Sequence, residues 1–519
     1  MSDFPFLLVL LLLPLVAGLG LLAVPEHRHE LIRRITLGVS LVVLVLTVLM
    51  TVAFEPSGPR FQFVQSYRWI PDFGVRFSLG VDGIALVMIL LIGVLVPVVI
   101  GASWNEGADA GRENGKRGSM RAFFAWLLVL ESLMIGVFAA TDIFLFYVFF
   151  EAMLVPMYFL IGSFGGPRRQ YAAVKFFLYS LVGGLIMLAA VIGLYVVSAQ
   201  EIGQGTFAFD ALRQISIDPD LQKLLFLGFF IAFAIKAPLV PFHTWLPDAG
   251  AEAPIGGAVL LVGILDKVGT FGFLRYCLPL FPDASRAFAP AILVLAVLGI
   301  LYGALLAMGQ TDMKRLIAYT SIAHFGFIAL GVFAFTTQAG SGAVLYMVNH
   351  GISTGALFLI VGILISRGRS RTIGDYGGVA SVTPLLAGAF LLAGLSSLAL
   401  PGTNSFVSEF LVLLGSFGPY PVFSILATVG IILAALYILL MYQRTMHGPI
   451  KAGAKGFKDL SKREMAYLSP LLALIIVLGV YPKPLLDIIT PAVNATMADV
   501  GAEVSVARAD DGTNGEGGG

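Results

Sequence analysis

Long apolar runs recur along the whole chain, separated by short polar connectors, and a window of about 19 residues reads them as membrane spans. Fourteen spans are predicted, at 4–24, 31–54, 81–104, 120–140, 142–162, 170–198, 222–246, 254–276, 287–308, 312–334, 341–366, 382–415, 420–445 and 464–482. The first is kept as a mature helix because it lacks the basic leader of a signal peptide. Segments 55–80 and 199–221 mix aromatics, Gly and charges, and read as short strands or amphipathic pieces capping the bundle. The stretch 502–519 is rich in Gly and Asp and reads as a disordered tail.

Two spans are interrupted. Pro238 and Pro241 break the seventh in KAPLVPFHTWLPDAG, and Pro401 with Gly402 breaks the twelfth in LALPGTNSFVSEF. The breaks lie five spans apart, which predicts two five-helix units, spans 4–8 and 9–13, inverted relative to one another as in transporters. The fold class is therefore all-α, a polytopic membrane protein of about 14 helices with two inverted repeats and broken helices 7 and 12. The corresponding division is 1–119, 120–276, 287–445, 446–501 (a basic connector and span 14) and the tail 502–519.

Composition agrees: 58% of residues are hydrophobic and 12% charged, with a mean hydropathy of +0.93. A soluble domain carries about twice that charged fraction. The net charge of +1 gives no reason to expect nucleic acid as a partner, and the single cysteine, Cys277, permits no disulfide, iron–sulfur cluster or thiolate metal site. Placement of charge says more. Connectors after odd-numbered spans hold 20 Lys and Arg and the opposite side holds nine, which puts both termini outside.

The remaining charges sit inside spans. Lys175, Lys236 and Lys267 with Glu151 and Glu409 each carry an insertion cost of at least ~2.5 kcal/mol, so together they point to a path for ions. Glu151, mid-span in FYVFFEAMLVPMYFL, is costly to keep ionised unless a cation lies nearby, and Lys236 or Lys175 could supply it. Such a pair is either a static tie between helices or a switch that frees a proton from Lys236 when Glu151 is drawn away. Asp266 is turned about 100° from Lys267 on an ideal helix, leaving no carboxylate one turn away to neutralise it, so Lys267 reads as a relay member. His324 and His350 fall in spans ten and eleven, where imidazole can pass a proton between its nitrogens or simply join two helices. His243 caps or braces the broken helix. His27, His29 and His447 lie in connectors.

The runs EAMLVPMYFLIGSFGGPRR, KAPLVPFHTWLPDAGAEAPIGGAVLLVGILDKVG, LAMGQTDMKRLIAYTSIAH and GTNSFVSEFL resemble the antiporter-like subunits of proton-pumping NADH:quinone oxidoreductase, complex I. The resemblance covers nearly the whole chain. Glu409, where NuoL- and NuoN-like members usually carry Lys, and the absence of a long lateral helix after span 14 point to the NuoM type, the counterpart of mitochondrial subunit 4. The resemblance implies that Glu151 and Lys236 are the coupled pair of a first half-channel, that Lys267, His324 and His350 form the central connection, and that Glu409 ends a second half-channel. Lys175 and His243 are secondary candidates. It further implies that FMN, iron–sulfur clusters and quinone reside in partner subunits, with NuoL-, NuoN-, NuoK-, NuoJ-, NuoA- and NuoH-like chains beside this one in a bacterial plasma membrane. Gly250 departs from the pattern, since the family often has a second His there, and no role of that His transfers. The rival readings are a Mrp-type cation/proton antiporter or hydrogenase subunit, a haem carrier with His324 and His350 as axial ligands, and a passive scaffold.

Overall fold

The computed structural model describes residues 4–106, 119–451 and 454–502; the expected tail beyond 502 lies outside them. Its helices are α1 (Phe6–Leu21), α2 (His29–Ala53), α3 (Gly83–Ala102), α4 (Met120–Ala139), α5 (Ile143–Phe164), α6 (Arg169–Ile202), α7 (Pro219–Lys236), α8 (Trp245–Glu252) and α9 (Ile255–Leu280). They continue with α10 (Pro282–Met308), α11 (Met313–Phe333), α12 (Thr337–Gly368), α13 (Pro384–Ser397), α14 (Asn404–Phe417), α15 (Pro421–Met446), α16 (Lys462–Val480) and α17 (Lys483–Asp499). Among the described residues 11 helices are long and apolar enough to cross a membrane, and α1, α13 and α14 are shorter apolar helices. Every expected span has a helix. Segment 55–80 forms an antiparallel hairpin, β1 (Gln62–Ile70) with β2 (Val75–Val81).

Polar residues at the ends of the apolar runs set the boundaries. Asp82, Ser119, Asp142, Asp312 and Thr336 each accept a hydrogen bond from a first-turn amide of the helix they open, and Ser461 with Glu464 forms a capping box on α16. Glycines bring helices close where no hydrophobic force drives them together in lipid. A Cβ added at Gly326 would lie 2.4 Å from the Ala296 carbonyl oxygen, so α10 and α11 touch backbone to backbone.

Both expected breaks are present. α7 ends at Lys236, and the chain is non-helical until α8 begins at Trp245. The Trp245 indole N–H donates to the Ile235 carbonyl at 2.8 Å, supplying the donor that the interrupted helix cannot. α8 runs past the predicted end of span seven because the chain remains helical until Pro254. In the second break, Leu398–Thr403 connect α13 to α14 through Ala399 and Gly402, both at positive φ.

The structure adds three features to the sequence reading. α5 is interrupted at Met153, where Pro156 lacks the N–H that would bond the Ala152 carbonyl, and this places Glu151 beside a third break. α9 contains π-helical turns at Leu261–Leu265 and Phe273–Cys277, on either side of Lys267. Finally, the segment after span 14 is not a plain connector. α17 buries Ile489, Val493 and Met497, four residues apart, and its Asp499 pairs with Arg60 and Arg213 at 2.6 Å each.

Gly269 lets α9 approach the end of α7. A Cβ there would meet the Phe233 oxygen at 2.4 Å and the Ala237 nitrogen at 2.5 Å, both backbone atoms. Gly269→Ala is expected to destabilise by roughly 1–3 kcal/mol, whereas Gly388→Ala, which meets nothing within 4 Å, stays within about 0.5 kcal/mol. Thermal unfolding of the two variants in detergent checks the difference.

Candidate functional site

The two breaks and the π turns expose backbone at mid-span, and the ionisable side chains collect there. Lys267 is wholly buried on α9. Its ammonium lies 2.6 Å from His350 Nδ1 and 3.2 Å from Asp266 Oδ1, and it donates to the Val262 carbonyl. The expectation that Lys267 has no neutralising carboxylate is therefore corrected. The lysine stem folds back toward the π turn at Leu261–Leu265, so sequence neighbours that would point apart on an ideal helix meet in an ion pair.

From Lys267 the polar groups continue across α11, α12 and α14. The rings of His350 and His324 stand edge to face with centroids 5.1 Å apart, and His324 Nε2 lies 3.1 Å from the Ser397 carbonyl freed at the α13 break. Tyr346, one turn before His350 on α12, has its ring centroid 5.6 Å from that of His324 and donates its hydroxyl to Glu409 Oε2 at 2.9 Å. Lys267, His350, His324, Tyr346 and Glu409 thus form one buried line. Tyr346 is absent from the sequence reading, although its position four residues before His350 puts both on one face of α12. The two imidazoles are thus in direct edge-to-face contact.

The groups around Lys236 are arranged differently. The Lys236 ammonium is buried without a hydrogen-bond partner among the described residues and sits over the rings of Phe150 at 5.0 Å and Phe176 at 5.4 Å. Glu151 is within its electrostatic reach but not in contact, and Asp266 also feels its charge. One Glu151 oxygen rests against α6 at Gly184, where an added Cβ would lie 1.5 Å from it. Lys175 is not the partner of Glu151. It pairs with Asp248 on α8 at 2.7 Å, and Asp248 also takes Arg315 of α11 at 2.7 Å, tying α8 to both α6 and α11. Lys175 faces this clamp because it lies nine residues before Gly184, about 13 Å along α6. His243 packs edge-on against Tyr302 at 5.5 Å, bracing the break against α10. Gly250 lies against Ala318, whose Cβ would be 3.4 Å from a Cβ placed at 250.

Glu131 on α4 is a further buried carboxyl, with neither oxygen hydrogen-bonded among the described residues. The signal for it was a Glu in the middle of an apolar run, the same signal that marks Glu151.

The sequence profile described as NADH:quinone oxidoreductase/Mrp antiporter, transmembrane, matches residues 140–435. NADH-quinone oxidoreductase subunit M of Mycobacterium tuberculosis is 51% identical over 96% of this chain and 95% of its own length. Among solved structures, a chain of respiratory complex I from Thermus thermophilus superposes with a TM-score of 0.85 at 33% identity, covering 95% of this chain and 99% of that one. A chain of the Mrp complex from Dietzia has the same fold, with a TM-score of 0.84 at 21% identity over 96% of this chain and 100% of that one.

Two changes test the geometry. Gly184→Ala forces the Glu151 carboxyl off its seat on α6 with little cost to the fold, since the clashing atoms end a flexible side chain. Tyr346→Phe removes the only hydroxyl between His324 and Glu409 in this line while keeping the ring. Both are expected to lower proton translocation per electron at normal assembly, measured by proton uptake in proteoliposomes.

Proposed function

The chain belongs to the NADH:quinone oxidoreductase/Mrp antiporter transmembrane family, and from that membership we propose that it is the proton-translocating M subunit of a complex I. Protons enter through a half-channel at Glu151 and Lys236, pass along Lys267, His350, His324 and Tyr346, and leave through a second half-channel at Glu409. The observation that carries this reading is the continuous line of contacts from Lys267 to Glu409, buried inside the helix bundle. Lys236 and Asp266 link it electrostatically to the first unit.

The proposal includes two inverted five-helix units, Asp248 clamping α8 between them, and both termini on the periplasmic side of a plasma membrane, as the 20 to nine bias of basic residues favours. Neighbouring membrane-arm subunits flank the chain. FMN, iron–sulfur clusters and quinone belong to partner subunits, and this chain contributes no redox centre. Moving one charge against the membrane potential costs ~2.3 kcal/mol per 100 mV. Redox chemistry elsewhere must supply it, so the purified chain alone neither reduces quinone nor pumps uphill.

The test is the proton-to-electron ratio of the assembled complex carrying Glu151→Gln or Lys236→Met at unchanged assembly. The ratio is expected to fall in both. An undiminished ratio would leave the chain a scaffold, and copurification with small Mrp-type partners in place of iron–sulfur subunits would assign it to the antiporter branch.

A further inference from the structure

Away from the proton line, α2, α3 and α16 enclose a cleft of about 750 Å³, within the size range of ordinary ligand sites. Its walls are almost wholly carbon, with Leu41, Leu44, Val98, Pro470, Ala473 and Leu474 among them. The floor closes where α3 and α16 touch, the Tyr467 Cβ lying 3.1 Å from a Cβ built at Gly101. α2 and α16 are also the two least buried of the long spans, at 28% and 22%, so the cleft lies on the outer face of this chain.

One end of the cleft is cationic and aromatic. Trp104, Tyr467 and Arg463 line it. Arg33 lies over the Trp104 ring at 5.7 Å and donates to Asn105 at 3.3 Å. Arg463 is exposed in the first turn of α16 and has no ion pair among the described residues. The adjacent helix N-terminus adds positive potential at the same place, and Trp and Tyr are the residues that sit at headgroup level.

The cleft's length selects its occupant. The 12 residues from Arg463 to Leu474 rise about 16 Å, roughly half of a ~30 Å hydrocarbon core. Past Leu474 a separate, smaller space of about 230 Å³ lies between Val87, Leu91 and Leu478. A partner's transmembrane helix, about 10–12 Å across with its side chains, needs a groove that stays open through both leaflets. An acyl chain with its headgroup at the basic rim needs only one.

We propose that this cleft holds one anionic phospholipid from the leaflet on the basic side of the protein, its phosphate against Arg463 and Arg33 and an acyl chain along Leu41, Val98 and Leu474. Anionic lipids attract basic residues near the membrane surface, with about 1 kcal/mol for each cation.

The experiment uses the assembled complex, with a photoreactive benzoylphenylalanine in place of Ala473, reconstituted in vesicles of equal phosphatidylglycerol and phosphatidylcholine. Mass spectrometry of the photoadduct is expected to find phosphatidylglycerol in excess. Arg463→Gln should lower that yield about fivefold, the equivalent of one lost cation, while Arg444→Gln, an exposed cation on α15 outside the cleft, leaves it unchanged. Equal labelling by both lipids, a yield indifferent to Arg463→Gln, or an adduct on a partner polypeptide would each overturn the proposal.

Discussion

A polar group stripped of water inside hydrocarbon must find its partner within the protein, because each unmet donor or acceptor costs several kcal/mol. This requirement explains why the breaks and the ionisable residues coincide. Interrupting α7 and α13–α14 frees carbonyls, and the structure answers with buried donors: the Trp245 indole on Ile235 and His324 on Ser397. Around Asn404, Asn349, Ser353, Ser396, Ser405 and Ser408 form a buried side-chain network at the start of α14, in which the Asn349 amide donates to the Asn404 carbonyl. Backbone that could not exist against lipid becomes tolerable once polar side chains line it, and those side chains are the ones able to carry protons.

The groups around Glu151 and Lys236 and those from Lys267 to Glu409 satisfy the requirement in different ways. In the second, every neighbour in the line from Lys267 to Glu409 is in hydrogen-bond or ring contact. In the first, Lys236 has aromatic faces where an ion pair was expected, and Glu151 is seated on a glycine. Such a gap costs stability, because a cation over Phe is worth only ~0.5–2 kcal/mol, less than a close carboxylate in the same surroundings. The arrangement is consistent with a group whose charge state must change, since a tight ion pair would hold both partners ionised.

Most of the fold was legible because membrane burial writes itself into composition. Span positions, both proline breaks and the strand character of 55–80 follow from apolar run length and from Pro and Gly placement. What escaped the sequence reading depends on local departures from ideal helix geometry. The Asp266–Lys267 pair needs the π turn, which no propensity encodes. The interruption at Met153 follows from Pro156, yet a lone Pro in an apolar span more often only bends it. Tyr346 went unnoticed because a phenol in a membrane helix usually anchors at the interface, and only its register with His350 marks it as internal. Lys175 was legible as a cation within a span but not in its choice of Asp248, since that pairing joins residues 73 apart through tertiary contact.

The contrast between the two central lysines has a mechanical consequence. An ammonium has three protons to donate, and Lys267 commits them to three acceptors, Val262, Asp266 and His350. Thus gripped, it can exchange a proton without travelling, like a fixed terminal in a circuit. Lys236, packed only against the faces of Phe150 and Phe176, has no such fixed set of acceptors among the described residues.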